Sequence, residues 1–135
     1  MSLEENRTTR DYLYGRLLAI AERLEESALY KAKEKRATNA TRYMQQFSQR
    51  PFRTWNQIHS SLNPYMVRLG GAGYYKSLIA EVTGLFVSPE DYMNDKPLSG
   101  EYLLGYYCQR QKFWEKAKKD EPSLEVEDNN ESTEE

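Results

Sequence analysis

The chain holds one cysteine, Cys108, and one histidine, His59. A thiol and an imidazole are the groups from which an activated nucleophile and its base are built, so these two positions are the first to weigh for catalysis. Cys108 lies in the stretch NDKPLSGEYLLGYYCQRQ, Asn94 to Gln111, which reads as a turn followed by an apolar helix. A lone cysteine in such a segment is usually a small buried hydrophobe. His59 falls near the end of another helical segment, where a histidine reads as a surface or boundary residue. One residue of each type excludes an intrachain disulfide and the common zinc sites, which need several Cys and His ligands. The acids within the quoted stretch are Asp95 and Glu101, and Glu101 suits the first turn of a helix. Paired carboxylates for acid–base work are therefore missing there. The expectation is a protein without catalytic activity, metal or cofactor.

Charge carries more information. The chain has 19 basic and 21 acidic residues in 135, a net charge of −2, but the signs are segregated. From Asp120 to Glu135 there are eight acids and no Lys or Arg, which leaves 19 basic and 13 acidic residues, net +6, in 1–119. Between Ser27 and Ala80 stand nine basic residues and one acid, Glu34. Clustered positive charge is the electrostatic footprint of a polyanion-binding surface, and a solvated protein surface is the plain alternative. The sequence GGAG at 70–73 lacks the Gly-Lys-Ser/Thr that completes a phosphate-binding P-loop, and it reads as a flexible hinge.

The elements that must position these charges are helical. Asp11 to about Leu29 carries Leu13, Leu17, Ile20 and Leu24 on one helical face, and Thr8 with Asp11 resembles a capping box. Thr38 or Asn39 caps a second helix with Ala40, Tyr43, Met44 and Phe47 at i, i+3, i+4 and i+7. Pro51 opens a third, whose Phe52, Trp55, Ile58 and Leu62 face its core. Asn63-Pro64 starts a short helix through Leu69. A further helix spans about Tyr74 to Phe86, and Ser88-Pro89-Glu90-Asp91 is a strong helix start. Ser99 caps the last helix, Gly100 to about Lys119. The prediction is an all-α bundle of five or six helices in 1–119, followed by a disordered acidic tail over 120–135. No apolar run approaches the length of a membrane span, and MSLEENRTTRDY lacks the apolar stretch of a secretory signal, so a cytoplasmic protein is expected.

On a helix, Leu103, Tyr107, Arg110 and Trp114 share one side of the quoted stretch, Leu104, Cys108 and Gln111 an adjacent one, and Tyr106 lies between them and Phe113. Aromatic content spread round a helix marks a central position in the bundle, or contact with a partner as well as the core. Stacking of bases on Tyr106 or Tyr107, beside Arg110 and Lys112, is the competing reading. Phe52 and Trp55 read as core.

Three stretches resemble one known family in the right order: RDYLYGRLLAIAERLEE, TNATRYMQQFSQRPFRTW and NDKPLSGEYLLGYYCQRQ. They look like the C-terminal region of the large subunit of type I-C CRISPR Cascade complexes, over about residues 10–112. The length resembles that of the small subunit of the same complex, which is made by internal translation of the large-subunit gene; an artificial truncation of the large subunit gives the same fold. The resemblance implies a helical, non-catalytic subunit that contacts Cascade backbone and large subunits, the crRNA-containing complex and other copies of itself. It also implies a role in holding the displaced non-target DNA strand, which favours the R-loop in antiviral defence. Strand exchange in an R-loop is near balance, so modest backbone contacts can tip it.

The family pattern offers no base-reading motif, so candidate nucleic-acid contacts follow from charge and position. They are Lys31, Lys33, Lys35 and Arg36; Arg42, Arg50 and Arg53; Arg68 and Lys76; and Arg110 and Lys112. Arg42, beside core-facing Tyr43, should point outward. Arg50 and Arg53 flank Pro51 at a helix N-terminus, where free backbone N–H groups favour phosphate. A purely structural spacer, whose basic surface meets acidic protein, remains the alternative.

Overall fold

The computed structural model describes residues 3–70 and 72–120, with side chains up to Ala117. The expected acidic tail beyond Asp120 lies outside the described residues. Eight helical segments follow one another: α1 (Arg10–Ala32), α2 (Asn39–Arg42), α3 (Met44–Gln49), α4 (Pro51–Ser60), α5 (Asn63–Arg68), α6 (Gly73–Thr83), α7 (Pro89–Tyr92) and α8 (Glu101–Asp120). No strand occurs among the described residues. The all-α expectation holds, with more segments than five or six.

Part of the excess comes from one break. The helix expected from Thr38 through Phe47 divides at Tyr43, whose φ of −102° and ψ of 13° separate α2 from α3. Thr38 is the cap, accepting from Thr41 N at 3.1 Å. The hydroxyls of Thr38 and Thr41 also meet at 2.9 Å, and Arg42 bonds the Asn39 side chain. Such local side-chain bonds compete with the helical ladder, which is why Thr and Asn favour turns over helix interiors.

The sequence predicts one apolar face for the first helix. In the structure 15 of the 23 residues of α1 are buried, including every residue from Tyr12 to Glu22. Helices α8, α6, α5, α2 and α4 all pack on it. A helix buried round most of its circumference is the axis of the bundle. Leu13, Leu17, Leu18, Ile20 and Leu24 are fully enclosed, each contributing about 1.5–3 kcal/mol by leaving water.

Helix α8 lies along α1 in the same direction: Glu101 meets Thr9, Gly105 meets Tyr12, and Gln109 meets Arg16. Two glycines set the closeness of this pair. A Cβ at Gly15 would overlap the carbonyl oxygen of Tyr102, and one at Gly105 would overlap that of Tyr12. The backbones thus touch where YGR and LGY cross. Tyr106 and Phe113 point into the core, whereas Leu103, Tyr107, Arg110 and Trp114 line the exposed side, the same four that helical spacing groups together.

The N-terminal ends of the pair are tied down by polar contacts. Arg7 Nε donates to Glu101 Oε2 at 3.1 Å and Thr9 Oγ1 donates to it at 2.9 Å. The Arg10 guanidinium donates to the carbonyls of Asp91, Asn94 and Lys96 at 2.8–3.1 Å, fixing the loop before α8. The expected Thr8–Asp11 capping box does not form. Thr9 is the N-cap, without a side-chain cap bond, and Asp11 Oδ2 instead accepts from Ser99 N at 2.8 Å. Asp11 is drawn across the interface because α8 begins beside α1.

Candidate nucleic-acid interface

The eleven cations singled out by sequence do not form one face. Six of them gather at the C-terminal end of α1. That helix ends at Lys33, a non-glycine residue in the left-handed region at φ 58°, whose N–H closes on Tyr30 O. The left-handed turn sends Lys33, Glu34, Lys35 and Arg36 outward as an exposed loop. Lys31 Nζ donates to Arg68 O at 3.0 Å, which brings the end of α5 against the end of α1. Arg36 and Arg68 both lie over the Tyr65 ring, 5.7 and 5.6 Å from its centroid, and Arg36 also donates to the Tyr65 hydroxyl at 2.6 Å. Ser27 Oγ and the Tyr75 hydroxyl meet at 3.2 Å, so the start of α6, with Tyr74 and Lys76, joins the same end.

Two features of this end escape the sequence reading. Lys116 places Nζ 4.0 Å from the Tyr74 ring centroid, so the end of α8 arrives here as well. Tyr30 is 86% exposed, Val67 72% and Tyr74 48%. Seven cations therefore stand among exposed aromatic and apolar side chains, against Glu34, the one acid between Ser27 and Ala80. Glu34 engages Arg68 at 3.6 Å and Arg36 at 3.9 Å. Lys33, Lys35 and Lys76 make no ion pair among the described residues. Basic groups beside exposed aromatic faces are the chemistry of single-strand binding: charge holds the backbone and rings stack on bases. The signal in sequence was the interleaving of Tyr30-Lys31 and Tyr74-Tyr75-Lys76, which periodicity alone assigns to helices.

Arg36 also has an internal role. It reaches the buried carboxylate of Glu25 at 3.1 Å, and that carboxylate accepts from Asn39 N at 2.8 Å. Its guanidinium is held above its ordinary pKa, first by the bond to Tyr65.

The remaining candidates lie elsewhere. Arg42 is exposed on α2, as expected, with its guanidinium on Asn39 and 5.9 Å from the Tyr43 ring centroid. Arg50 and Arg53 sit at the start of α4, near the loop that Arg10 ties to the beginning of α1. At 1.5 Å per residue, Arg10 and Lys31 are about 30 Å apart, so these arginines belong to the other half of the bundle. The N–H groups at this helix start are not all free for phosphate: Asp95 Oδ1 accepts from Arg53 N at 2.9 Å. That carboxylate takes one of the N–H groups a phosphate would use. Arg110 pairs with buried Glu22 at 3.4 Å, and Lys112 with Glu5 at 3.5 Å.

Tyr106 is not a stacking platform. It is buried, and its hydroxyl donates to Glu22 Oε2 at 2.7 Å. Burial, then that bond, pushes its phenol well above the ordinary range. Tyr107 remains half exposed beside a cleft of about 620 Å³ between α1 and α8. Glu22, Glu26, Arg23, Arg110 and Trp114 share that cleft. Burial and the Glu22 charge raise the Glu26 carboxyl above its ordinary value. With two acids facing two arginines, the cleft does not present the uniform positive charge of the α1 end. Cys108 is buried on α8, and His59 stacks on Trp55 in α4 at 5.1 Å; burial lowers the His59 pKa.

Over residues 1–114 the sequence matches the family described as CRISPR-associated protein (Cas_Csd1). The chain belongs to this CRISPR-associated family. A search of curated proteins finds no match. The matched residues carry α1 through most of α8, including Lys31–Arg36, Arg68 and the Tyr74–Lys76 turn of the basic end. Lys116 and the acidic residues after it fall beyond the match. Among the described residues, no helix is long and apolar enough to cross a membrane.

Proposed function

We propose that the chain is a non-catalytic small subunit of a type I-C Cascade complex, the internal-translation equivalent of the C-terminal region of its large subunit. Its task is to bind the displaced non-target DNA strand, and so to stabilise the R-loop, while bridging backbone and large subunits of the crRNA-containing complex. The site of action is the cytoplasm. The observation that carries this reading is the convergence of Lys31, Lys33, Lys35, Arg68, Lys76 and Lys116 around exposed Tyr30 and Tyr74. Such a surface needs no base readout, and its affinity must fall with salt as counterions are released. Membership of a CRISPR-associated family supports this reading.

Fluorescence anisotropy of the full chain on two labelled single-stranded DNAs of unrelated sequence, across a salt series, tests the reading. Equal binding to both, falling steeply with salt, is expected. Absence of binding at the lowest salt favours the alternative, a protein-bridging spacer. That alternative has its own support in the exposed Leu103, Tyr107 and Trp114 along the outer side of α8, which suit a protein neighbour.

A further inference from the structure

The basic end has a candidate occupant within the same chain. The segment from Glu121 to Glu135 carries seven acids and no Lys or Arg. It follows in sequence from α8, which is described as far as Asp120. One turn earlier, Lys116 lies on Tyr74, and the neighbouring Tyr75 reaches Ser27, one turn before Lys31. The most acidic part of the sequence is therefore anchored beside its most basic surface. This juxtaposition follows from the parallel packing of α1 and α8, since an antiparallel pair would deliver the acids about 30 Å away, beside Arg10 at the start of α1.

We infer that the acidic segment 121–135 is the resident partner of the basic end and competes there with nucleic acid. A stretch of fifteen residues can span up to roughly 50 Å, enough to reach from α8 across the ends of α1 and α5. A tethered segment acts at an effective concentration in the ~mM range, so weak attraction suffices for occupancy. A single strand presents a denser row of charge than the seven acids, together with bases that stack on Tyr30 and Tyr74, and it displaces the segment. Short or weakly held polyanions do not. The segment thus sets a threshold for binding rather than abolishing it. The second half of this inference rests on the proposed function; the contact between segment and body does not.

The test compares the full chain with a variant in which all seven acids of 121–135 become their amides, Glu→Gln and Asp→Asn. The first readout needs no nucleic acid. Lysines are labelled briefly with an acylating reagent and quantified by mass spectrometry. Lys31, Lys33, Lys35 and Lys76 are expected to label several-fold more slowly in the full chain than in the variant. Lys96, at the far end near Arg10, should label equally in both. Equal labelling of all five overturns the inference, and a uniform change that includes Lys96 reduces it to a net-charge effect and also overturns it. The second readout is anisotropy with labelled oligo-deoxythymidine. The variant should bind at least about tenfold more tightly at low salt, with the gain shrinking as salt rises. Equal affinities overturn the competition and leave the proposed function standing. Absence of binding by either protein overturns the proposed function, while the labelling still decides whether the segment contacts the body.

Discussion

The two ends of the α1–α8 pair use the same kind of residue differently. At the N-terminal end Arg7 and Arg10 are consumed by the fold: Arg7, together with the Thr9 hydroxyl, holds Glu101, and Arg10 holds three loop carbonyls. At the C-terminal end Lys33, Lys35 and Lys76 lack ion pairs among the described residues, beside a tyrosine that is 86% exposed. Positive charge alone therefore does not mark a binding surface. The informative quantity is charge that the fold has not already neutralised.

This contrast can be broken from its structural side first. Gly105→Ala places a Cβ on the Tyr12 carbonyl oxygen, at the crossing that holds the ends in register. It should cost about 3 kcal/mol or more and lower the melting temperature sharply, because two backbones must separate. Arg10→Ala leaves three carbonyls without their donor and should cost about 2 kcal/mol in chemical denaturation, with single-strand affinity of the remaining folded protein unchanged. At the other end the pattern reverses. Lys33→Glu, Lys35→Glu and Lys76→Glu together should leave stability within about 0.5 kcal/mol per site. Single-strand affinity should fall about tenfold or more, with the salt slope shallower by ~0.7 for each phosphate that is no longer neutralised. Tyr30→Ala should be milder, weakening single-strand binding by about 1 kcal/mol with no change in melting.

Alkali sharpens the same division. Burial raises the phenols of Tyr14 and Tyr106 well above the ordinary tyrosine value near 10. A raised pKa means the folded state keeps the proton that the unfolded state loses. The stability this supplies is complete below pH ~10 and is lost as pH rises above it. Absorbance of phenolate at 295 nm should show Tyr14 and Tyr106 ionising only together with loss of helical circular dichroism.

Much of the fold was legible because helix starts are local. Thr38, Pro51, Pro64, Ser88 and Ser99 are single residues whose chemistry acts within a few positions, and each stands at or beside the start of a helical segment. Burial on all sides of α1 was not legible, since Leu13, Leu17, Ile20 and Leu24 describe one face and only neighbouring helices enclose the rest. The contact of Gly15 with Tyr102 lies outside any window of sequence for the same reason. The candidate cations were recognisable by type, but their division was not. Asp95 accepting from the Arg53 backbone N–H, Glu22 reaching the Arg110 guanidinium and Lys116 reaching Tyr74 are long-range events that charge counting cannot foresee. Three stretches were enough to suggest a CRISPR-associated family, and the match over residues 1–114 bears that out.

The central claim is that nucleic acid meets the C-terminal end of α1 rather than the other cations. Ultraviolet cross-linking of the full chain to single-stranded oligo-deoxythymidine, with cross-linked peptides mapped by mass spectrometry, addresses this most directly. The account predicts cross-links at Tyr30 and Tyr74 that disappear at high salt. Cross-links confined to the Arg42–Arg53 region or to Tyr107, with none at Tyr30 or Tyr74, would contradict it.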